Sequence, residues 1–195
     1  MQDIILASQS PRRKMLLEWA EVSFEVIVKH TDETFPADLT KSEIAIHIAR
    51  NKALAVRSYV QNAFHGQFAK KAILAADTIV VLGEQVIGKP EDREHAIQIL
   101  QSLSGKQHQV ITGVVILHDD IETAFADTTE VVFHELTDEQ IIFYVDKYKP
   151  YDKAGAYAIQ EWIGVVGIKS VAGDFYNVMG LPVSRVVQAL HTINL

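Results

Sequence analysis

Ser8-Gln9-Ser10-Pro11-Arg12-Arg13 directly follows a short apolar run, Ile4–Ala7. Serine is a favoured N-cap and proline at the first helical position wastes no hydrogen bond, so a helix is expected to open at Ser10-Pro11. Its first turn carries two cations where the helix dipole favours acids, and an anion seated among them would relieve that conflict. The free N–H groups of a helix start bind phosphate, and guanidinium groups add two-pronged contacts. A solvated helix start with arginines unrelated to any ligand fits the same residues.

Asp77 interrupts the apolar run Ala75-Ala76-Asp77-Thr78-Ile79-Val80. Burying an unpaired carboxylate is expensive, which points to a metal ligand or a general base for water. The competing readings are an aspartate at a strand end facing solvent, or one paired with an arginine. Thr31-Asp32-Glu33-Thr34 and Lys52 by themselves read as solvated loop acids and a helix lysine that could equally lie on the surface. Ile87-Gly88-Lys89-Pro90 lacks the upstream glycine spacing and the following Ser or Thr of a P-loop, although a lysine just before a helix can still reach a phosphate. The histidines form no metal-ligand spacing, no nucleophile elbow is present, and the glycines form no dinucleotide fingerprint.

The elements that must position these residues alternate along the chain. Ile4–Ala7, Phe24–Val28, Ala72–Leu82 and Gln85–Gly88 read as strands, and His108–Leu117 and Thr123–His134 as a pair joined across Asp119-Asp120. Thr40-Lys41-Ser42-Glu43 is a capping box that predicts a long helix to about Gln61, followed by a hydrophilic connection over Asn62–Lys71. A helix over Glu91–Leu103 is expected to end at Ser104-Gly105. Thr137-Asp138-Glu139-Gln140 is a second capping box, and its helix should stop before Lys149-Pro150. Tyr151–Gln160 reads as a shaped loop, Ile163–Val171 as apolar, and Gly180-Leu181-Pro182 as the lead into a terminal helix. Interleaved strands and helices with some antiparallel neighbours predict an α/β fold with a mixed sheet flanked by helices.

Composition sets the outer bounds. The 195 residues suit one domain over 1–195, with room for two lobes around a cleft. With 48% hydrophobic and 22% charged residues, a core is easily supplied and disorder is disfavoured. A net charge of −7 argues against nucleic-acid polymers or membrane surfaces as partners, since a phosphate backbone rewards excess Lys and Arg. The absence of cysteine excludes disulfides, zinc–thiolate sites and a cysteine nucleophile. The opening residues do not have the shape of a signal peptide and no apolar run approaches a membrane span, so a cytoplasmic protein is expected.

Taken in order, the segments resemble the Maf family. The likeness runs from Leu6-Ala7-Ser8-Gln9-Ser10-Pro11-Arg12-Arg13 through Asp32-Glu33, Ala49-Arg50-Asn51-Lys52-Ala53, Ala76-Asp77-Thr78 and Ile87-Gly88-Lys89-Pro90. It continues through Leu103-Ser104-Gly105-Lys106, His108–Gly113 and Lys153-Ala154-Gly155-Ala156-Tyr157-Ala158-Ile159-Gln160 to Asn177–Pro182. Each motif is weak; the ordered set is specific and spans nearly the whole chain.

That resemblance implies a fold akin to the inosine triphosphate pyrophosphatases, and hydrolysis of a nucleoside triphosphate to the monophosphate and pyrophosphate. It implies a divalent cation, Mg2+ or Mn2+, held by Glu33 and Asp77, and often a homodimer. Asp77 would be the catalytic acid–base, with Glu33, Lys52 and Lys89 beside it in catalysis. Arg13, Lys52 and Lys89 would hold phosphates, in a substrate site that also includes Ser8, Ser10, Arg12, Thr78 and Gln160. Arg12, Thr78 and Gln160 are similar to the branch that acts on dTTP and UTP. Alternatives within the resemblance are cleavage of 7-methyl-GTP or another modified nucleotide, and a nucleotide-binding regulator of septum formation. The chain departs from the family pattern at Ala158, at Glu161-Trp162 and over Ala172–Tyr176, which touch the rim of the implied base pocket.

Overall fold

A computed structural model describes residues 3–63 and 71–193. The elements in chain order are β1 (Ile4–Leu6), α1 (Pro11–Trp19), β2 (Phe24–Val26), α2 (Lys41–Ala63), β3 (Ile73–Leu82), β4 (Gln85–Ile87) and α3 (Arg93–Leu103). They continue with β5 (Gln107–His118), β6 (Ile121–Phe133), α4 (Asp138–Tyr148), α5 (Trp162–Gly167), β7 (Ile168–Ala172), α6 (Phe175–Met179) and α7 (Val183–Thr192). A single 3-10 turn over Ala154–Ala156 lies inside the expected loop. The run Ile163–Val171 divides between α5 and β7. Of the expected connection over residues 62–71, positions 64–70 lie outside the described residues.

The strands form one mixed sheet in the order β2-β1-β3-β5-β6-β7, with β4 paired to β3. β1 is parallel to both β2 and β3, whereas β3/β4 and β6/β7 are antiparallel. The α/β class and mixed sheet expected from the sequence are therefore those observed. Both capping boxes form. Thr40 N–H donates to Glu43 Oε2 at 2.8 Å and Glu43 N–H to Thr40 Oγ1 at 3.4 Å, and the same reciprocal pair joins Thr137 and Gln140. Helix α4 ends where the following proline requires, with Lys149 in the left-handed region at φ 47°. Helix α3 begins slightly later than expected because Asp92, not a residue nearer Glu91, accepts from His95 N–H as the N-cap.

The chain divides into two compact units. The first comprises Met1–Asp77, Thr112–Asp127 and Gly180–Leu195; the second comprises Thr78–Ile111 and Thr128–Met179.

In the first unit the core is made where α2 lies on the sheet. Ile5 and Ala7, Ile73 and Ala75, and Val115 and Leu117 pack with Ala49, Ala53, Val56 and Val60 of α2. The strand residues are all odd-numbered, as the two-residue period of a strand demands, and the helix residues recur at three- and four-residue steps. Gly113 continues the odd series on β5. A Cβ there would sit 2.3 Å from the Ala45 carbonyl carbon and 2.4 Å from the Ile46 nitrogen, so glycine is what permits α2 to approach the strand this closely.

In the second unit, α3 packs against α4. Arg93 grips Asp146 with two hydrogen bonds, Nε to Oδ1 at 2.6 Å and Nη2 to Oδ2 at 2.9 Å. His108, Phe133 and Tyr157 form a buried ring cluster with mutually edge-on geometry.

Candidate active site

The period of β3 explains why a carboxylate can be buried there. Ile73 and Ala75 face α2, so two residues further on Asp77 faces α2 as well. On α2, Lys52 is three residues past Ala49 and four before Val56, both of which pack on the sheet, so it shares their side of the helix. The Lys52 ammonium donates to Asp77 Oδ1 at 2.6 Å and to Glu33 Oε1 at 2.8 Å. Asp77 is therefore not at a strand end facing solvent: it lies inside β3, 8% exposed, with Lys52 as its hydrogen-bonded partner and the charge of Arg13 acting on it as well. Glu33 lies in the polar segment between β2 and α2 and is exposed. It is drawn to Asp77 through the shared lysine.

Ser8, Ser10 and Arg13 gather beside them. The chain leaves β1 toward β2 on one side and reaches β3 on the other, so the carboxyl end of β1 opens onto a point where the strand order reverses, the place where α/β sheets hold ligands. Ser8, just past β1, is buried. Its Oγ accepts from Ser10 N–H at 3.2 Å and from Arg13 Nη1 at 3.1 Å. Arg13 Nη1 also donates to the Ala76 carbonyl at 2.8 Å, and Nε to the Gly180 carbonyl at 2.8 Å. Arg13 thus ties the start of α1 to the residue preceding Asp77. Burial lowers its pKa from the usual arginine value, Asp77 opposes that shift, Arg12 adds to it, and Glu33 opposes it.

Ser10 stands at the N-cap position of α1 with Pro11 as the first helical residue, as expected, but its side chain makes no capping bond. The Ser10 N–H itself donates to the Ser8 hydroxyl, a separate contact that helix-start rules do not anticipate. No acid lies in the first turn, which keeps Arg12 and Arg13 as its only charges apart from Lys14. Arg12 is half-buried.

The remaining expected residues belong to the second unit. Thr78 follows Asp77 on β3 and is half-buried; Lys89 follows β4 and is exposed. The Gly155 N–H donates to the Gly88 carbonyl at 3.1 Å, which fixes the loop after α4 next to Lys89. Gln160 ends that loop and is exposed. Two residues that motif reasoning passed over as chemistry lie there. Lys153 is buried, with its ammonium 2.8 Å from Asp152 Oδ1 and 3.7 Å from Glu161 Oε1. Tyr144, on α4, donates to Glu161 Oε2 at 2.5 Å. A lysine in an otherwise Gly- and Ala-rich stretch was the available signal for the first; nothing local signals the second. Phe175 and Tyr176 are exposed and meet edge-on.

Among the described residues no group of three or more His, Cys, Asp or Glu is placed to hold a metal ion. Glu33 and Asp77 nonetheless fit a hard divalent cation of the Mg2+ type. They present carboxylate oxygens to one small region, and Mg2+ commonly takes one or two protein carboxylates while keeping water and substrate phosphate oxygens.

Comparison with known proteins bears on the whole chain. The model of the Maf family, described as Maf-like protein, matches residues 3–193. A protein of Cytophaga hutchinsonii named dTTP/UTP pyrophosphatase is 48% identical over 188 residues, covering 96% of this chain and 83% of its own. One of Bacteroides thetaiotaomicron with the same name is 49% identical over 183 residues, covering 93% and 91%. Among solved structures, the Staphylococcus aureus Ham1 protein is similar with a TM-score of 0.51 at 16% identity, covering both chains in full, a likeness of fold. With the family model matching residues 3–193, almost end to end, the chain belongs to the Maf-like protein family.

Proposed function

We propose that the protein hydrolyses dTTP and UTP to the nucleoside monophosphate and pyrophosphate. The observation that carries this reading is the Lys52 ammonium joining Glu33 and Asp77, one residue from the carbonyl that Arg13 holds. An anion binder without turnover would gain nothing from two carboxylates placed against its cations. The names of the relatives from Cytophaga hutchinsonii and Bacteroides thetaiotaomicron support the substrate.

The reaction joins a water oxygen to the α-phosphorus and breaks the bridging bond to the β-phosphate, whose electron pair leaves with pyrophosphate. Asp77 takes the proton from the water, and its fixed hold by Lys52 aims the accepting oxygen. Glu33 and Asp77 would hold Mg2+ or Mn2+, which when bound supplies charge neutralisation on the phosphates. Arg12, Arg13, Lys52 and Lys89 stabilise negative charge on the triphosphate and the departing pyrophosphate. Ser8 and Ser10 shape the helix start that receives a phosphate. Arg12, Thr78 and Gln160 select the base. The Gln160 amide offers a donor and an acceptor, the complement of the imide edge shared by uracil and thymine.

The protein acts on free nucleotides in the cytoplasm, sanitising the nucleotide pool. In support, the net charge is −7 and no described helix is long and apolar enough to cross a membrane. The test is a panel of nucleoside triphosphates, 7-methyl-GTP included, assayed for pyrophosphate with and without Mg2+. Release from dTTP and UTP that depends on the metal is expected. Preference for 7-methyl-GTP, or nucleotide binding without product, would overturn the proposal.

A further inference from the structure

Glu161-Trp162 has built partners in the second unit. The Trp162 ring lies edge-on to Phe143 of α4 with centroids 4.8 Å apart. The Glu161 carboxylate accepts from the Tyr144 hydroxyl at 2.5 Å through Oε2 and faces the Lys153 ammonium at 3.7 Å through Oε1. The same Tyr144 hydroxyl accepts from the Ala158 N–H at 3.2 Å. A phenol can do both at once, since it has one proton to give and lone pairs to receive. One oxygen on a helix therefore grips the loop at Ala158 and at Glu161, on either side of Ile159-Gln160.

The residues between are held too. A Cβ at Gly164 would sit 1.6 Å from the Ile159 carbonyl oxygen, so the first turn of α5 presses on the backbone just before Gln160. The Glu161 N–H returns to the Ala158 carbonyl at 3.1 Å. Residues 155–159 are buried, Tyr144 is fully buried, and Gln160 is exposed. The pattern is a single outward-facing amide on a backbone clamped on both sides.

We infer that Tyr144, together with Glu161, is a positioning residue for the Gln160 amide, and through it sets selectivity for uracil and thymine nucleotides over cytosine nucleotides. The inference rests on the proposed role of Gln160 in reading the base. Selectivity by hydrogen bonding requires that donor and acceptor be held to a fraction of an ångström, because a mobile amide can rotate or shift to suit the edge of cytosine. Tyr144 supplies that constraint without touching substrate.

The experiment compares kcat/KM for UTP and for CTP in the parental protein and in the Tyr144→Phe, Glu161→Ala, Glu161→Gln and Gln160→Ala variants. Tyr144→Phe, which removes one oxygen, lowers the UTP:CTP ratio by about tenfold, in line with loss of a hydrogen bond to a charged group. The loss falls mainly in KM for UTP, with kcat on CTP retained. Glu161→Ala lowers the ratio likewise, and Glu161→Gln, which still accepts from the hydroxyl, restores most of it. In a Gln160→Ala background, Tyr144→Phe has no further effect on the ratio. If Gln160→Ala lowers the ratio while both Tyr144→Phe and Glu161→Ala keep the parental value, the positioning role is overturned and the reading of Gln160 stands. An unchanged ratio in Gln160→Ala itself overturns both. Should Tyr144→Phe not fold, Glu161→Ala, at a partly exposed site, decides the matter by the same ratio.

Discussion

The Lys52 ammonium donates to Asp77 Oδ1 across 2.6 Å, although the two residues lie 25 positions apart on different elements. Both side chains are mostly withdrawn from water, at 19% and 11% exposure. The contact exists because β3 turns its odd-numbered residues toward α2 and α2 turns Ala49, Lys52 and Val56 toward the sheet. A carboxylate that would be costly to bury alone is thereby paired, and its orientation is set before any substrate arrives.

Asp77→Asn keeps the shape of the side chain and can still accept from Lys52, but it cannot take a proton from water. Pyrophosphate release from dTTP should fall by about a thousandfold or more, within the range typical of losing a general base. Circular dichroism and thermal melting should remain close to parental. Hydrolysis at near the parental rate would remove Asp77 as the base.

Glu33 is exposed, so its replacement should spare the fold while weakening the site for the cation. Glu33→Gln should raise the Mg2+ concentration for half-maximal activity by about tenfold. Chelation should stop turnover in the parental protein, and added Mg2+ should restore it. An unchanged Mg2+ titration in the variant would place the cation elsewhere.

Arg13 satisfies the carbonyls of Ala76 and Gly180 and the hydroxyl of Ser8 with a forked group. Lysine has a single terminal nitrogen and cannot reach all three. Arg13→Lys should therefore cost about 2 kcal/mol, seen as a Tm lower by roughly 5 °C, in addition to any loss of activity. A variant with parental Tm and reduced turnover would assign Arg13 to phosphate contact only.

His108 is buried against Phe133, and its Nε2 meets the Tyr157 hydroxyl at 2.7 Å. Burial pushes its pKa down from 6.5 to about 4. Between those values the unfolded chain binds a proton that the folded chain does not, so stability rises with pH across that window and is lost on acidification from about 6.5 toward 4. Urea unfolding should give a stability at pH 5 lower than at pH 7 by on the order of 2 kcal/mol from this group. His108→Gln, which keeps a polar atom for Tyr157, should flatten the slope between pH 6.5 and 5, above the range in which ordinary carboxylates titrate. An identical slope in the variant would assign the pH dependence to other groups.

What the sequence by itself determined was local or periodic. The Thr40–Glu43 and Thr137–Gln140 boxes are legible because both partners lie within one helical turn. Lys149-Pro150 ends α4 for a steric reason contained in two residues. Asp77 stood out because an acid in an apolar strand has to be accounted for energetically, and the ordered motifs carried the family. The tertiary structure decided which groups meet. Lys52 had no local mark separating it from a surface lysine until α2 lay on β3. The Ser10 side-chain cap, a sound local expectation, does not form, while the Ser10 N–H is taken by the Ser8 hydroxyl at the turn after β1, a contact no helix-start rule encodes. The hold of Tyr144 on Glu161 joins residues 17 apart across a helix and a loop, and no short-range rule encodes it. Spacing along the chain specifies contacts only over about one turn or one pleat; beyond that, packing chooses the partner.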